Sequence, residues 1–177
     1  MYIDIVILSQ LIHGPKHGYK IKQNVAFILG NTYKLNNNTL YPRLKKFEEI
    51  GAVEKTVEIN EGSPNRFQYS ITEKGRDLFQ KLLQQVNEKV VADDNEFYNR
   101  LGFFSLLDGE NRDKLLQLRI QHLQNRIDFI DQMALIVNEE DYFPFSQQLY
   151  IYSKAKSESE IKIIESLRDS EKDREPG

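Results

Sequence analysis

The run "NNNTLYPRLKKFEEIG" (Asn36–Gly51) sets amide, hydroxyl, phenol and ammonium groups at helical spacing. On a wheel of about 100° per residue, Leu44 and Phe47 fall within roughly 40° of Leu40. Asn38, Pro42 and Lys45 point the opposite way, with Tyr41 and Lys46 on the flanks. Short hydrogen-bonding groups at the start of an exposed helix face, with cations further along, suit a groove in nucleic acid. Asn, Thr and Lys read base edges there, and Lys and Arg hold phosphates. Asn is also a favoured helix cap. A proline near the first turn, here Pro42, gives up an N–H at little cost.

The remaining reactive side chains stand in patterns that serve chemistry poorly. His13 and His17 are four residues apart, but Gly14, Pro15 and Gly18 surround them and no carboxylate lies at ligand spacing. Turn and cap roles are expected for both. His122 falls on an apolar helix stripe, as a partly buried histidine does. The carboxylates of "NEEDY" (Asn138–Tyr142) sit in a charged break and read as solvated rather than as an acid/base pair. There is no cysteine, hence no disulfide and no thiolate site. Neither a Gly-rich phosphate loop nor a nucleophile elbow occurs. No catalytic residue, metal site or cofactor is expected, and the chain does not read as an enzyme.

The elements that must position the Asn36–Gly51 run come next. Residues 2–12 ("YIDIVILSQLI") are apolar throughout and read as a short buried helix, with a strand as the alternative. "HGPKHG" breaks it. A second helix spans Tyr19 to about Leu29 on the stripe Ile21, Val25, Ile28. The quoted helix follows and stops at Gly51. "VEKTVEI" and "FQYSI" then alternate with period two around "NEGSPN", a β-hairpin signal with a loop longer than a tight turn. Thr72 can cap the next helix, whose Leu78, Leu82 and Val86 recur every four residues. Three helices, a hairpin and a helix make a winged helix-turn-helix.

After Asp93 the pattern is wholly helical. Phe97, Leu101 and Phe104 form one stripe, and Asp108 can cap a long segment through Leu115, Leu118, His122, Asn125, Phe129, Gln132, Ala134 and Val137. Leu123, Ile127 and Ile130 flank it, and Pro144 ends it. A last helix carries Leu149, Tyr152, Ala155, Ile161, Ile164 and Leu167. The fold expected is mainly α with a small β-hairpin: a winged helix-turn-helix domain followed by an α-helical domain. The boundaries expected are 1–88 for DNA binding, 89–170 for the helical domain and 171–177 as a disordered tail.

Charge divides the same way. Residues 1–82 hold 12 Lys/Arg against 8 Asp/Glu, and residues 83–177 hold 12 against 19. A basic first half on an acidic second half points to a polyanion meeting the first. No apolar window reaches the ~18 residues of a membrane span, and the N-terminus lacks a secretory pattern, so a cytoplasmic location and no membrane partner are expected.

The chain resembles the PadR family of winged-helix transcriptional regulators. The likeness runs through "GPKHGYKIK" (Gly14–Lys22), "NTLYPRLKKFEEIGAVE" (Asn38–Glu54) and "EGSPNRFQYSITEKGRDL" (Glu61–Leu78), in order and spacing, over about the first 80 residues. Where the family often has Gly before Ser/Thr-Leu-Tyr, this chain has Asn38. The resemblance implies a bacterial homodimer joined by C-terminal helices, with two recognition helices in successive major grooves of an inverted-repeat operator, roughly 34 Å apart. It implies a repressor released by a small, often aromatic, molecule. By residue match, Asn37, Asn38, Thr39 and Tyr41 would contact the groove, Lys45 and Lys46 the backbone, Arg66 the DNA from the wing, and Tyr19 a phosphate. Arg43, nearer the core face, is the weaker candidate. For the effector, the aromatic density of the second half offers Phe97, Phe104, Phe129 and Tyr152, against the reading of those rings as core and dimer packing. The competing function is a winged-helix adaptor that has lost specific DNA binding and works through protein contacts.

Overall fold

The computed structural model describes residues 2–28, 35–58, 66–136 and 146–172. The chain divides into two compact units, Met1–Gln85 and Val86–Gly177.

The first unit is built on α1 (Tyr2–Ile12), which is helix, not strand, and buried continuously from Ile5 to Leu11. A helix apolar all round needs cover on every side. Its two buried polar residues are satisfied locally: the Ser9 hydroxyl donates to the Val6 carbonyl (2.8 Å), and Gln10 Nε2 donates to Ser9 Oγ (3.3 Å). Gly14 ends the segment at φ +119°, a conformation L side chains rarely adopt. The ammonium of Lys16 donates to the Gln10 carbonyl near the end of α1.

Next come β1 (Lys16–His17), α2 (Gly18–Ile28), α3 (Asn37–Glu49), β2 (Val53–Glu58), β3 (Arg66–Ile71) and α4 (Glu73–Leu83). The sheet is antiparallel with order β1-β3-β2. Strand β2 meets β3 from Val53↔Ile71 to Glu58↔Arg66, and β1 meets it at Lys16↔Tyr69 and His17↔Gln68. The winged helix-turn-helix order expected from the sequence is the order observed, with β1 added. The hairpin leaves the core quickly: Val53 and Tyr69 are buried, whereas Val57 and Phe67 are exposed. The loop between them, with Ile59, Glu61 and the Gly-Ser-Pro segment, lies outside the described residues.

A knot of backbone contacts fixes α3 to the hairpin and α4. The N–H groups of Gly51 and Ala52 donate to the carbonyls of Glu48 (2.9 Å) and Phe47 (2.7 Å), a Schellman closure with Gly51 at φ +71°. Thr72 caps α4 by accepting from the Gly75 N–H (3.1 Å), and its hydroxyl donates to the Gly51 carbonyl (2.8 Å). A Cβ on Gly75 would stand 2.0 Å from the Ala52 carbonyl oxygen, so only glycine lets α4 come this close. The buried stripe of α4 is Gly75, Phe79 and Leu83. Leu78 and Leu82, expected to carry it, are half-buried.

The second unit comprises α5 (Glu88–Ala92), α6 (Asp94–Gly102), a 3-10 turn (Phe104–Leu106), α7 (Gly109–Ile136) and α8 (Ser146–Lys172). Side chains cap three of its helices: Asn87 accepts from Val90 N–H, Asp93 from Asn95 and Glu96, and Asp108 from Asn111. Helices α7 and α8 run antiparallel, as their ion pairs show: Arg112–Glu171 (3.3 Å), Arg168–Asp113 (2.8 Å), Arg119–Glu160 (2.7 Å) and Lys154–Asp131 (2.7 Å). The buried positions of α7 are Leu115, Leu116, Arg119, Leu123 and Ile130. The face read from sequence through Leu118, His122, Asn125, Phe129 and Gln132 grows progressively exposed. Residues 173–177 lie outside the described residues, as does the acidic "NEEDY" break.

Arg119 joins four helices. Its guanidinium donates to the Val91 carbonyl (2.6 Å), Asp94 Oδ1 (2.6 Å) and Glu160 Oε1 (2.8 Å), and lies over the Phe97 ring at 4.7 Å. Burial opposes its charge, but its hydrogen bonds to Asp94 and Glu160 and the fields of those carboxylates outweigh that cost and hold it protonated beyond the ordinary arginine range. The neighbouring His122 is shifted the other way, below the usual histidine range, by burial first and then by Arg119 and Arg126. Among the described residues no helix is long and apolar enough to cross a membrane, and no group of three His, Asp or Glu could hold a metal ion.

Candidate nucleic-acid interface

Helix α3 begins one turn earlier than Leu40 because Asn36 caps it: its side-chain oxygen accepts from the Thr39 N–H at 2.8 Å. Asn37 and Asn38 therefore occupy the first helical turn and are exposed. Asn37 also accepts from the Lys22 ammonium of α2 at 3.3 Å. Leu40, Leu44 and Phe47 are buried, which turns Asn38, Tyr41, Pro42, Lys45 and Lys46 to solvent. Thr39 is half-buried.

The cations of α3 divide by role. Arg43 is held by the first unit: its Nε donates to Asp4 Oδ1 (3.0 Å) and its Nη1 to the Thr39 carbonyl (3.3 Å). That explains its place near the core face and leaves it strapping α3 to α1. Lys45 has only a 3.8 Å contact with Glu49 one turn on, with both side chains largely exposed. Such a pair is worth about 0–1 kcal/mol and yields readily to a phosphate. Arg66, the first residue of β3, is exposed, and its side chain pairs with no other described residue.

Tyr19 and Tyr41 stand together between α2, α3 and the sheet. Tyr19 is 61% and Tyr41 44% exposed, high for large rings. Tyr41 packs on Gly18, where an added Cβ would lie 2.9 Å from its ring and hydroxyl. Tyr19 stacks on His17, centroids 5.8 Å apart with planes 11° off parallel. His17 faces Glu58 Oε2 with Nε2 (3.2 Å) and the Phe67 carbonyl with Nδ1 (3.1 Å). The turn role expected for His17 is thus a strand role, locking β1 to both hairpin strands, and its distance from any metal chemistry is a matter of these partners. Gly18, Lys22 and His17 were missed as parts of this surface. Only the short spacing of "KHGYKIK" hints at them, since their neighbours come from α3 and β3, far along the chain.

In the second unit the four aromatic candidates occupy different surroundings. Phe97 is buried beneath Arg119. Phe104 lines a cleft of about 530 Å³ at the start of α7 with Arg112, Asp113, Leu116, Arg168 and Glu171. Phe129 and Tyr152 are exposed on α7 and α8. Tyr142, Phe143 and Phe145 lie outside the described residues.

Comparison with known proteins agrees with the sequence resemblance. Residues 7–81 match the model of the Transcriptional regulator PadR-like family. Among solved structures, the chain is similar to smu.1604c from Streptococcus mutans UA159, at 27% identity over 94% of this chain and 98% of that one, TM-score 0.44. It is similar to Bacillus subtilis PadR in complex with operator DNA, at 19% identity over 93% and 95%, TM-score 0.44. It is also similar to a PadR family transcription regulator from Clostridium difficile R20291, at 29% identity over 48% and 86%, TM-score 0.41. The winged unit, residues 7–81, is thus a PadR-like transcriptional-regulator domain by its family match.

Proposed function

We propose that the chain is a homodimeric, sequence-specific DNA-binding regulator that represses transcription in the cytoplasm and is released from its inverted-repeat operator by a small effector. In this reading residues 1–88 bind DNA and residues 89–170 supply dimerisation. The observation that carries it is the division of labour on α3: its apolar face is used in the core, while Asn37, Asn38, Tyr41, Lys45 and Lys46 are exposed, with only peripheral contacts to Lys22, Gly18 and Glu49 among them. Asn37, Asn38, Thr39 and Tyr41 would meet base edges, and Lys45, Lys46, Arg66 and Tyr19 the backbone. The Bacillus subtilis relative carries operator DNA in its structure. Pairing with a second copy is supported by the apolar side chains that α7 and α8 leave exposed, among them Phe129, Leu135 (88% exposed), Leu149, Ile151 and Tyr152.

The adaptor reading draws on the acidic groups diluting this surface: Glu48, Glu49, Glu54 and Glu58 are all exposed. Anisotropy titration against DNA from upstream of the gene, at several salt concentrations with scrambled DNA as control, separates the two. A regulator prefers the cognate fragment by orders of magnitude with steep salt dependence. Lys45→Ala then lowers the salt slope by about one unit for all sequences, while Thr39→Ala relaxes sequence preference. Equal, weak binding to both fragments, unchanged in both variants, would favour the adaptor.

A further inference from the structure

A second cleft, of about 460 Å³, lies in the first unit between α2 and the start of α3. Lys22, Gln23 and Asn37 line it, together with the rings of Tyr19 and Tyr41. Lys22 and Gln23 come from α2 and Asn37 from the first turn of α3, so the cleft joins the two helices at the end of α3 assigned to base edges.

Each of the two amides lining this cleft has its oxygen engaged by a lysine of α2. The Lys22 ammonium donates to Asn37 Oδ1 at 3.3 Å, and the Lys20 ammonium donates to Gln23 Oε1 at 3.0 Å. An ammonium can only donate, so each contact fixes which end of the amide is which. The oxygen lies against the lysine, and the NH2 group is the end left over. Asn36 is oriented in the same way by the Thr39 N–H, at 2.8 Å. Asn38 differs: it is exposed, and its side-chain amide has no hydrogen-bond partner among the described residues.

These orientations decide which base edge each amide can meet. Asparagine reads adenine by accepting from N6 while donating to N7, so both ends of the amide must be offered to the base. Asn38 can do this. At Asn37 one lone pair of the oxygen is already taken, and the ammonium brings further N–H donors to the same edge. An adenine amino group placed there would meet another donor. Guanine presents acceptors at both places, N7 and O6. We propose that Lys22 and Asn37 act as one reader, supplied by two helices, which selects guanine over adenine at one base pair of the site, and that Lys22 sets the choice. The inference rests on the assignment of the exposed face of α3 to DNA. It concerns the direction of hydrogen bonds at a base edge, apart from the phosphate contacts, which carry no sequence information directly.

The test selects duplexes from a randomised library with the full chain, then repeats the selection with variants. Lys22→Met keeps an apolar stem and removes the donor, whereas Lys22→Arg keeps a donor. Wild type should enrich guanine at a position where Asn37→Ala erases the preference. Titration of the two duplexes that differ only there should show the guanine-to-adenine affinity ratio falling by about tenfold or more in Lys22→Met, and largely kept in Lys22→Arg. The other positions of the motif, including any that depends on Asn38, should not change. A Lys22→Met chain that binds more weakly and with a smaller salt slope, its motif intact, would make Lys22 a phosphate contact only and overturn the reader. Adenine at the Asn37-dependent position in wild type, or an Asn37→Ala motif identical to wild type, would overturn it as well. A wild-type chain that enriches no motif would overturn the DNA assignment itself, and the reader with it.

Discussion

The two units use arginine and lysine in opposite ways. In the second unit, Arg119 is 2% exposed and surrounded by a carbonyl, two carboxylates and an aromatic face. Arg100 is wholly buried against Glu96, Nη1 to Oε2 at 2.7 Å. In the first, Lys45, Lys46 and Arg66 are exposed with weak partners or none in the fold. A cation whose hydrogen bonds are all taken inside a unit stabilises that unit and can recognise nothing. One whose donors face solvent adds almost nothing to stability and is available to an anion. The positive charges thus fall into those spent inside the fold and those left to solvent.

Perturbing each class should give effects graded in that order. Arg119→Met should cost the most, about 3–5 kcal/mol, because Asp94 and Glu160 lose the charge that balances them in a partly buried place. Chemical denaturation would show it, and a loss below 1 kcal/mol would mean that the four-helix junction is held by apolar packing alone. Arg43→Ala, in the first unit but tied to Asp4 and the Thr39 carbonyl, should cost about 1–2 kcal/mol, and its DNA affinity should change only as far as α3 shifts. Arg66→Ala and Lys45→Ala should leave stability within about 0.5 kcal/mol of wild type while weakening DNA binding. A large fall in Tm for either would break the division drawn above. The smallest effect concerns His122. Its folded form resists protonation, so the unfolded chain takes up more protons as pH falls below the ordinary histidine range, and stability falls with it. His122→Gln should flatten the stability curve between about pH 7 and 5, measured as the difference between the two proteins' denaturation midpoints.

Much of the first unit was legible in the sequence because its elements carry strong local signals. The Leu40–Leu44–Phe47 stripe, the Gly51 stop and the Thr72 cap each depend on neighbours within a turn. Strand β1 was not legible: two residues, Lys16 and His17, become strand only because Tyr69 and Gln68 lie beside them. The α4 stripe was displaced by one position because Gly75, with no hydropathy signal, sets the face that touches Ala52. In the second unit, the stripe read through His122, Asn125 and Gln132 lies off the true buried side of α7, where a central residue is Arg119. Of the proposed DNA surface, the α3 residues followed from periodicity. His17, Gly18 and Lys22 needed the tertiary arrangement that sets α2 beside α3 and the sheet.

The knot at Gly51, Ala52, Thr72 and Gly75 has a consequence for how such a protein can diversify. Its hydrogen bonds run through main-chain atoms and one hydroxyl, so the placement of α3 owes little to the identities of the side chains that α3 turns outward. On the proposed function, positions 38, 41, 45 and 46 can be exchanged like type in a printing frame, altering what would be read while the frame stays locked. New specificities are then reachable by a few substitutions, each nearly free of any folding penalty, and a library randomised at those four positions should yield mostly folded members.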